Sequence, residues 1–396
     1  MLIEKDKSLK NALDGKVILL TGAGGGIGFE AAKAFVYMGA KVIIAEVDKE
    51  KGVNAEQYLN CTFSGNLAYF YQIDLLDEKQ VMAMYDYINS IYGCPDVIFH
   101  NATIIAFGAV EEVSLEMWDK SYVVNFRAPL LLTQLFLPVM KKRNSGIIVF
   151  VPSSGAAPYM GAYEVFKTAQ VELCNTLSGE LEKTKVKTYS IGPGLVKTDT
   201  AMNGIEIVSN MMEMTTDEFY TMNESHILGV EEAGCGFALS VLLADKYNGQ
   251  EIGSIQVLLD FGLLESQTNQ NDNKQIDYEK IIPFVQKVIK IYKEQYYGWI
   301  ARNIFERQWV LRDFKKTVGV SAEQFFINMN NLELEFENGN YQVLCTYVND
   351  FEKLEQYYKR QYKLLQGFEK DPARLKEHSN TLNQWIMDLT FISESI

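Results

Sequence analysis

The sequence predicts an α/β protein in which a doubly wound parallel sheet is followed by a mainly α-helical C-terminal domain. Three observations support this prediction. The chain has 396 residues, which is long for one ordinary domain. Between residues 17 and 259, short β-rich runs alternate with longer amphipathic segments, as in repeated strand–helix–strand units. After residue 262 the chain becomes aromatic and amphipathic at helical spacing, with few glycines.

Seven strands are predicted from short apolar runs bounded by turn residues. They are Val17–Leu20, Lys41–Ala45, Leu67–Gln72, Val97–Phe99, Ile147–Val151, Lys187–Ile191 and Ile255–Leu259. The helices predicted between them include Glu30–Tyr37, Glu78–Ile91 and Ala162–Glu182. We interpret the apolar region from Val123 to Met140 as a buried core helix, because Arg127 and two prolines make a membrane span unfavourable.

The shift in composition divides the chain into four parts. They are an N-terminal segment (1–14), the α/β domain (15–264), a polar linker (265–277) and a helical extension (278–396). In the extension, Ser321 and Gln324 predict a capping box, and Asp371-Pro372 predicts the start of the last helix. Asn338-Gly339 predicts the turn of an αα-hairpin, because helical spacing persists on both sides, and a β-hairpin over residues 332–347 is the alternative.

Charge and composition limit the functions that this chain can have. Apolar residues make up 47% of the chain and charged residues 22%, which are globular values. The net charge of −14, with no cluster of basic residues, argues against nucleic acid or a membrane surface as partner. Five widely spaced cysteines predict free thiols in the cytoplasm, and the three histidines show no metal-ligand spacing. The first residues lack the apolar core of a signal peptide.

A glycine-rich turn, TGAGGGIG at residues 21–28, joins the first predicted strand to the first helix. Glycines in this position allow positive φ angles and a close approach of the ligand to the backbone. The N–H groups of the turn and the N-terminus of the helix then bind a pyrophosphate. The turn therefore predicts a nucleotide-binding site.

A second group of residues predicts acid–base chemistry beside that site. Tyr163 and Lys167 are four residues apart on a predicted helix and therefore share one face. A neighbouring ammonium group favours the phenolate and would lower the pKa of the tyrosine from about 10. Ser153 and Ser154 follow a strand at the edge where a ligand would bind, and Asn125 lies in a helical region.

Taken in chain order, these motifs resemble those of the short-chain dehydrogenase/reductase family. The matching elements are TGAGGGIG at 21–28, Asp74, HNAT at 100–103, Asn125, Ser154, YEVFK at 163–167 and IGPGLVKTDT at 191–200. The resemblance covers residues 15–262 and implies a Rossmann-type fold, a nicotinamide cofactor and hydride transfer between an alcohol and a carbonyl carbon. It also implies assembly as a homodimer or homotetramer.

The resemblance assigns roles to individual residues. Tyr163 would be the general acid and base, and Lys167 would lower its pKa and bind the nicotinamide ribose. Ser154 would bind the substrate oxygen, and Asn125 would hold a water of the proton relay. The implied cofactor-binding residues are Thr21, Gly22, Gly26, Ile27, Gly28, Glu46, Asp74, Asn101, Ala102, Tyr163, Lys167, Pro193, Gly194 and Thr198.

Glu46 predicts NAD rather than NADP. It ends the second strand, where its carboxylate would accept a hydrogen bond from the ribose 2′-hydroxyl and repel a 2′-phosphate. The chain also departs from the family pattern. Ser154 and Tyr163 are only nine residues apart, so Ser153 is an alternative substrate-binding serine, and Thr103 replaces a common glycine.

The region from Thr198 to about Gly229 corresponds to the mobile loop that covers the substrate in this family. It is rich in methionine and other apolar residues, which predicts a lipophilic substrate such as a steroid, fatty acyl group or terpenoid. Core packing of two lid helices is the alternative interpretation. For the whole chain, the main hypothesis is an NAD-dependent oxidoreductase acting on an alcohol or ketone. The alternative is a nucleotide-binding regulatory or scaffold protein whose function resides in the extension.

Overall fold

The structure, a computed structural model, describes residues 1–153, 158–222, 227–264, 276–368 and 371–395. The chain divides into two compact units, Met1–Gln267 and Thr268–Ile396. Most of the predicted linker, residues 265–275, lies outside the described residues. Ser154 also lies outside them.

The first unit contains a parallel seven-stranded sheet. Its strands are β1 (Val17–Thr21), β2 (Lys41–Glu46), β3 (Ala68–Gln72), β4 (Val97–His100), β5 (Gly146–Phe150), β6 (Val186–Gly192) and β9 (Glu251–Gly253). Their order is β3-β2-β1-β4-β5-β6-β9, and a separate two-stranded sheet pairs β7 (Leu195–Val196) with β8 (Ile227–Leu228). The connections reverse direction between β1 and β4, and such a switch point opens a crevice at the carboxyl ends of the strands. The predicted doubly wound fold is confirmed.

The helices of this unit cover both faces of the sheet. They are α1 (Gly26–Tyr37), α2 (Lys49–Thr62), α3 (Glu78–Ile91), α4 (Leu115–Tyr122), α5 (Ala128–Arg143), α6 (Gly161–Glu180), α7 (Asp199–Met211), α8 (Thr216–Met222), α9 (Val230–Ser240), α10 (Ala244–Tyr247) and α11 (Ser254–Asp260). A π-helical turn, Val123–Arg127, joins α4 to α5. The stretch Leu115–Arg143 is long and apolar enough to cross a membrane. However, Leu132, Phe136 and Met140 are fully buried in the core against the sheet, as in a core helix.

One predicted strand was wrong. Residues 255–259 form part of α11, and the last strand of the sheet is the preceding segment Glu251–Gly253, which pairs with β6. The buried residues Ser254, Val257 and Leu258 follow helical spacing and pack against α9. A short apolar run does not distinguish a buried strand from a buried helical turn, because all of its residues are apolar in either case.

In its described residues, the second unit contains five α-helices around a core of its own. They are α12 (Tyr278–Ile300), α13 (Ile304–Val318), α14 (Ala322–Glu337), α15 (Val348–Phe368) and α16 (Pro372–Ser395). Tyr292 lies at the centre of this core, with its ring 4.7 Å from that of Phe325 and its hydroxyl donating to the Ala322 carbonyl oxygen at 2.7 Å. The helical prediction for this region is confirmed.

Two helix N-termini and one turn of the second unit were predicted from the sequence. Ser321 accepts from the Gln324 N–H at 3.1 Å, while the Gln324 side chain donates to Asn328 and does not complete a capping box. Asp371 accepts from the Ala373 N–H at 2.9 Å, as predicted for an N-cap. Helices lie on both sides of Asn338-Gly339, with a 3₁₀ turn between them, so the αα-hairpin is confirmed and the β-hairpin is excluded.

Candidate active site

The glycine-rich turn joins β1 to α1 at the carboxyl edge of the sheet. Gly22 and Gly26 have φ angles of +66° and +54°, which residues with a Cβ atom rarely adopt. A Cβ atom at Gly28 would lie 2.3 Å from the Gly22 carbonyl oxygen, so α1 approaches the turn too closely for any side chain. The turn and the first N–H groups of α1 therefore offer bare backbone donors, the arrangement that binds a pyrophosphate.

Asn101 and Thr21 hold this turn in place. The Asn101 amide donates to the carbonyl oxygens of Thr21 and Gly22 at 3.0 and 2.8 Å. The Thr21 hydroxyl accepts from the N–H groups of Asn101 and Ala102 at 3.1 and 3.0 Å. These bonds tie the end of β4 to the end of β1, so both residues position the turn.

A cleft with a volume of about 1170 Å³ opens at the carboxyl ends of the strands. All the predicted cofactor-binding residues except Thr21 line it, namely Gly22, Gly26, Ile27, Gly28, Glu46, Asp74, Asn101, Ala102, Tyr163, Lys167, Pro193, Gly194 and Thr198. Thr198 caps α7 by accepting from the Ala201 N–H at 3.1 Å. Its Cγ2 would be 3.5 Å from a Cβ atom at Gly26, so the loop after β6 lies beside the glycine turn.

Glu46 is held against the glycine turn by three backbone donors. Its carboxylate accepts from the N–H groups of Gly24 at 3.1 Å, Val47 at 2.9 Å and Asp48 at 3.1 Å. A Cβ atom at Gly24 would lie 2.7 Å from the Glu46 Cγ atom, so only glycine leaves room for this contact. A negative charge is therefore fixed at the end of the cleft where β2 ends.

Lys167 lies one helical turn from Tyr163 on α6, and its ammonium group is buried. The side chain is 1% exposed, and its Nζ atom has no hydrogen-bond partner among the described residues. Burial lowers the pKa of Lys167 to about 7. An unpaired buried donor is unfavourable unless a ligand supplies acceptors, and the hydroxyl groups of a nicotinamide ribose would do so at this place. The cleft thus fits the cofactor that the sequence implies.

Tyr163 is half-buried on the same helix as Lys167, and it lines the cleft together with Ser153 and Thr103. Burial raises the pKa of Tyr163 to about 12, and the charge of Glu164 adds to the rise. Hydrogen bonds from Ser153 and Thr103 to a phenolate would act in the opposite direction. The lowering of this pKa by Lys167 therefore stays a prediction about the site with its cofactor.

Asn125 lies in the π-helical turn and does not line the cleft itself. Its side chain is fully buried, with Oδ1 accepting from the Thr103 hydroxyl at 2.8 Å and from the Ile104 N–H at 3.1 Å. Its Nδ2 donates to the Ile104 carbonyl oxygen and to Ser121. The Asn125 backbone carbonyl oxygen accepts from the side chain of Gln170. Asn125 therefore supports the loop after β4, and its water-binding role stays a prediction.

Sequence reasoning missed two polar residues of the site. Ser153 donates to the carboxylate of Glu164 at 3.1 Å, and Glu164 is only 6% exposed where it lines the cleft. Gln170, which is fully buried, lies three residues beyond Lys167 and holds Asn125. Both missed residues, Glu164 and Gln170, are close in sequence to the Tyr163–Lys167 pair. A polar residue on the buried face of that helix was the signal that could have identified them.

The remaining wall of the cleft is apolar. It is formed by Ile105, Phe107, Met160, Ile205, Val208 and Phe219. The Phe107 ring lies edge-on to that of Tyr163, with centroids 5.3 Å apart. A Cβ atom at Gly204 would lie 2.3 Å from the Phe107 ring, so α7 packs directly on this ring. Within the region predicted to cover the substrate, the cleft is lined by Ile205, Val208 and Phe219. The methionines at 202, 211, 212 and 214 are not among the lining residues.

Comparison with known proteins identifies relatives of the first unit. The family model described as short chain dehydrogenase matches residues 16–207. An uncharacterized oxidoreductase from Thermotoga maritima is 34% identical over 189 residues, which are 47% of this chain and 73% of that protein. Dehydrogenase/reductase SDR family member 4 from Bos taurus is 32% identical over 196 residues, which are 48% of this chain and 68% of that protein.

Solved structures share the same architecture. The 3-ketoacyl-(acyl-carrier-protein) reductase from Brucella melitensis, complexed with NADH, aligns with a TM-score of 0.53 and 26% identity over 61% of this chain and 97% of that one. L-sorbose reductase from Gluconobacter frateurii, complexed with NADPH and L-sorbose, aligns with a TM-score of 0.54 and 22% identity over 61% and 95% of the two chains. The second likeness shows the fold alone.

Proposed function

Because this chain belongs to the short-chain dehydrogenase/reductase family of oxidoreductases, we propose that its first unit uses NAD to interconvert an alcohol and a carbonyl compound. The observation that carries the proposal is the buried Lys167 ammonium, which has no hydrogen-bond partner among the described residues and lies in the same cleft as Tyr163 and the glycine turn. A protein that used this unit only as a scaffold would gain nothing from an uncompensated buried charge.

Each group of residues in the cleft has a different role in the proposed reaction. When bound in the cleft, the nicotinamide cofactor would supply the hydride chemistry of the reaction. The glycine turn holds the pyrophosphate, and Lys167 donates to the nicotinamide ribose. Tyr163 exchanges a proton with the substrate oxygen, which must lie within hydrogen-bond reach of its hydroxyl. Ser154, which follows β5, is proposed to orient that oxygen.

The preference for NAD rests on Glu46. Three backbone N–H groups hold its carboxylate in place, so the charge cannot readily move away from a ribose 2′-phosphate. A fixed anion repels a phosphate and accepts from a hydroxyl. The Glu46→Gln variant keeps an acceptor oxygen and removes the charge. We expect it to bind NADPH more tightly while its affinity for NADH changes little.

The proposed substrate is lipophilic and of limited width. The apolar lining of the cleft includes Phe107, Ile105 and apolar residues of α7 and α8. Such surfaces bind apolar groups through area removed from water. Phe107 is packed between Tyr163 and Gly204, so we propose that its ring limits the width of the substrate next to the reacting oxygen.

Two further proposals concern assembly and location. We propose a cytoplasmic homodimer or homotetramer that associates through α4, α5 and α6. Large apolar side chains on two of these helices are exposed, with Leu115 at 81% and Val165 at 52%. Exposed apolar groups of this kind are common at subunit interfaces. Light scattering coupled to size-exclusion chromatography would measure the mass in solution.

The decisive experiment has two stages. Thermal shift with NADH and NADPH tests cofactor binding, and a panel of alcohols and ketones followed at the NADH absorbance tests turnover. We expect binding of NADH, turnover of apolar substrates and loss of turnover in Tyr163→Phe with NADH affinity retained. NADH binding without turnover on the whole panel would favour the regulatory alternative. Normal turnover in Tyr163→Phe would exclude the proposed proton transfer.

A further inference from the structure

Strand β3 forms one edge of the seven-stranded sheet, and its only strand neighbour in the described residues is β2. The Leu67 carbonyl oxygen accepts from the Val42 N–H at 2.7 Å, and the Ile73 N–H donates to the Glu46 carbonyl oxygen at 2.9 Å. Successive residues of a strand direct their N–H and C=O groups to opposite sides. The backbone groups that point away from the sheet are therefore those of Ala68, Phe70 and Gln72.

Two side chains of α2 bind these outward-facing groups. The Asn60 Nδ2 atom donates to the Ala68 carbonyl oxygen at 2.8 Å, and the Asn60 Oδ1 atom accepts from the Ala68 N–H at 3.0 Å. The Glu56 carboxylate accepts from the Phe70 N–H at 3.1 Å. The Asn60 side chain thus makes the pair of bonds that a residue of a neighbouring antiparallel strand would make with Ala68. Because Glu56 and Asn60 lie one helical turn apart, both reach the edge from the same face of α2.

The helix that carries these side chains packs closely on β3. A Cβ atom at Gly52 would lie 2.0 Å from the Phe70 ring, so the first turn of α2 lies directly on this side chain. Ala55 and Leu59 of α2 are buried in the same core as Ala68. The packing of α2 therefore places Glu56 and Asn60 beside the strand, which reduces the entropy lost when their bonds form.

The segment around β3 has the composition of an aggregation-prone strand. Residues 67–73 have the sequence LAYFYQI, which includes three aromatic residues and no charged residue, proline or glycine. Segments of six or seven residues with high β-propensity and low charge stack into intermolecular sheets when they lie on an exposed edge. Charged residues and proline within an edge strand commonly prevent such pairing. Because this strand has neither, its protection must come from another part of the chain.

We propose that Glu56 and Asn60 close the outer edge of β3 against a second copy of this chain, by binding the backbone groups with which the β3 of that copy would pair. This role goes beyond the proposed oxidoreductase function, and it concerns a surface other than the α4, α5 and α6 helices. Without the two side chains, Ala68 offers an N–H and a C=O, and Phe70 offers an N–H. A second β3 has the same groups and can pair with them, which begins an intermolecular sheet.

The test compares the aggregation of full-length variants, each held at the same interval below its own melting temperature. The double variant Glu56→Ala, Asn60→Ala removes the three bonds to the edge. We expect it to form a sediment that binds thioflavin T and has the infrared band of an intermolecular β-sheet, at least about tenfold faster than the parent protein. Gln57→Ala changes an exposed residue of the same helix and should leave the rate unchanged.

A variant that is only less stable separates edge protection from stability. Leu59→Ala removes a fully buried side chain of α2 and keeps Glu56 and Asn60, so it should lower the melting temperature without opening the edge. If Leu59→Ala aggregates as fast as the double variant at the same interval below its melting temperature, loss of stability explains the effect and the proposal is wrong. An unchanged rate in the double variant would also overturn the proposal.

Two further variants test the edge itself. Gln72→Lys, added to the double variant, places a charge on the exposed strand and should restore solubility, and continued aggregation would contradict pairing through β3. If the double variant does not fold, Asn60→Asp replaces it, because aspartate keeps an acceptor for the Ala68 N–H and leaves the Ala68 carbonyl oxygen without its donor. Asn60→Asp should aggregate faster than the parent protein, and an equal rate would overturn the proposal.

Discussion

Gly28 provides a stringent test of the nucleotide site because a single carbon atom should disable it. In Gly28→Ala the new Cβ atom would lie 2.3 Å from the Gly22 carbonyl oxygen and 2.6 Å from the Asn101 amide nitrogen. Ordinary contact begins at 3.4 Å, so α1 must move back by about 1 Å. That movement breaks the bond of 2.8 Å between Asn101 and Gly22 and displaces the N–H groups that face the pyrophosphate.

The expected size of the effect follows from this displacement. Overpacking of a tight contact costs about 1 to 3 kcal/mol, which for a unit of this size lowers the melting temperature by roughly 2 to 10 °C. A shift of about 1 Å in a binding group can weaken its action about 100-fold, so we expect NADH affinity to fall at least about tenfold. Differential scanning calorimetry and isothermal titration with NADH measure the two effects.

A matched substitution in the same turn provides the control. Gly25 has an extended backbone with φ of −164° and open space around its Cβ position. Serine is a favoured N-cap residue, so Gly25→Ser should keep or slightly raise both stability and NADH affinity. The contrary result is that Gly28→Ala binds NADH with an affinity within twofold of that of the parent protein and melts at the same temperature. That result would show that NADH binding does not depend on the close approach of α1 to the turn.

Three further predictions follow from the structure. Lys167→Met should stabilise the cofactor-free protein by roughly 4 kcal/mol at pH 7, because burial lowers the folded pKa from 10.5 to about 7. Between pH 7 and pH 10.5 the unfolded chain keeps the Lys167 proton that the folded chain has lost, so the gain in the free energy of unfolding should vanish as the pH rises to about 10.5. Urea unfolding at pH 7 and pH 10 measures this gain. Equal gains at the two pH values would contradict the low pKa of Lys167. Phe107→Ala should raise kcat/KM for bulky ketones relative to small ones by at least about tenfold in a competition assay, and an unchanged ratio would show that Phe107 does not limit the cavity. Residues 276–396 expressed alone should give a helical circular-dichroism spectrum and a cooperative thermal transition, since their core is self-contained, and a spectrum of unfolded chain would contradict the division into two folding units.

Local motifs explain why so much of the fold could be predicted. The glycine turn lies between a strand and a helix that directly adjoin it, so its position at the sheet edge follows from its neighbours in sequence. The shared face of Tyr163 and Lys167 follows from the geometry of a helix alone. By contrast, the last strand was placed four residues too late, because the apolar run 255–259 has no periodicity that separates a strand from a helical turn.

By itself the sequence determined the class of the fold, the glycine-rich turn and the shared helix face of the pair proposed for proton transfer, because each depends on residues within a few positions of one another. Only the tertiary structure decided how the polar side chains of the cleft are held. The bond from Thr103 to Asn125 joins residues 22 positions apart, and the bond from Ser153 to Glu164 joins residues 11 apart. Burial of Lys167 likewise depends on the packing of α6 against the sheet. Hydrogen-bond direction and desolvation are properties of a three-dimensional surrounding, and spacing along a chain does not specify them.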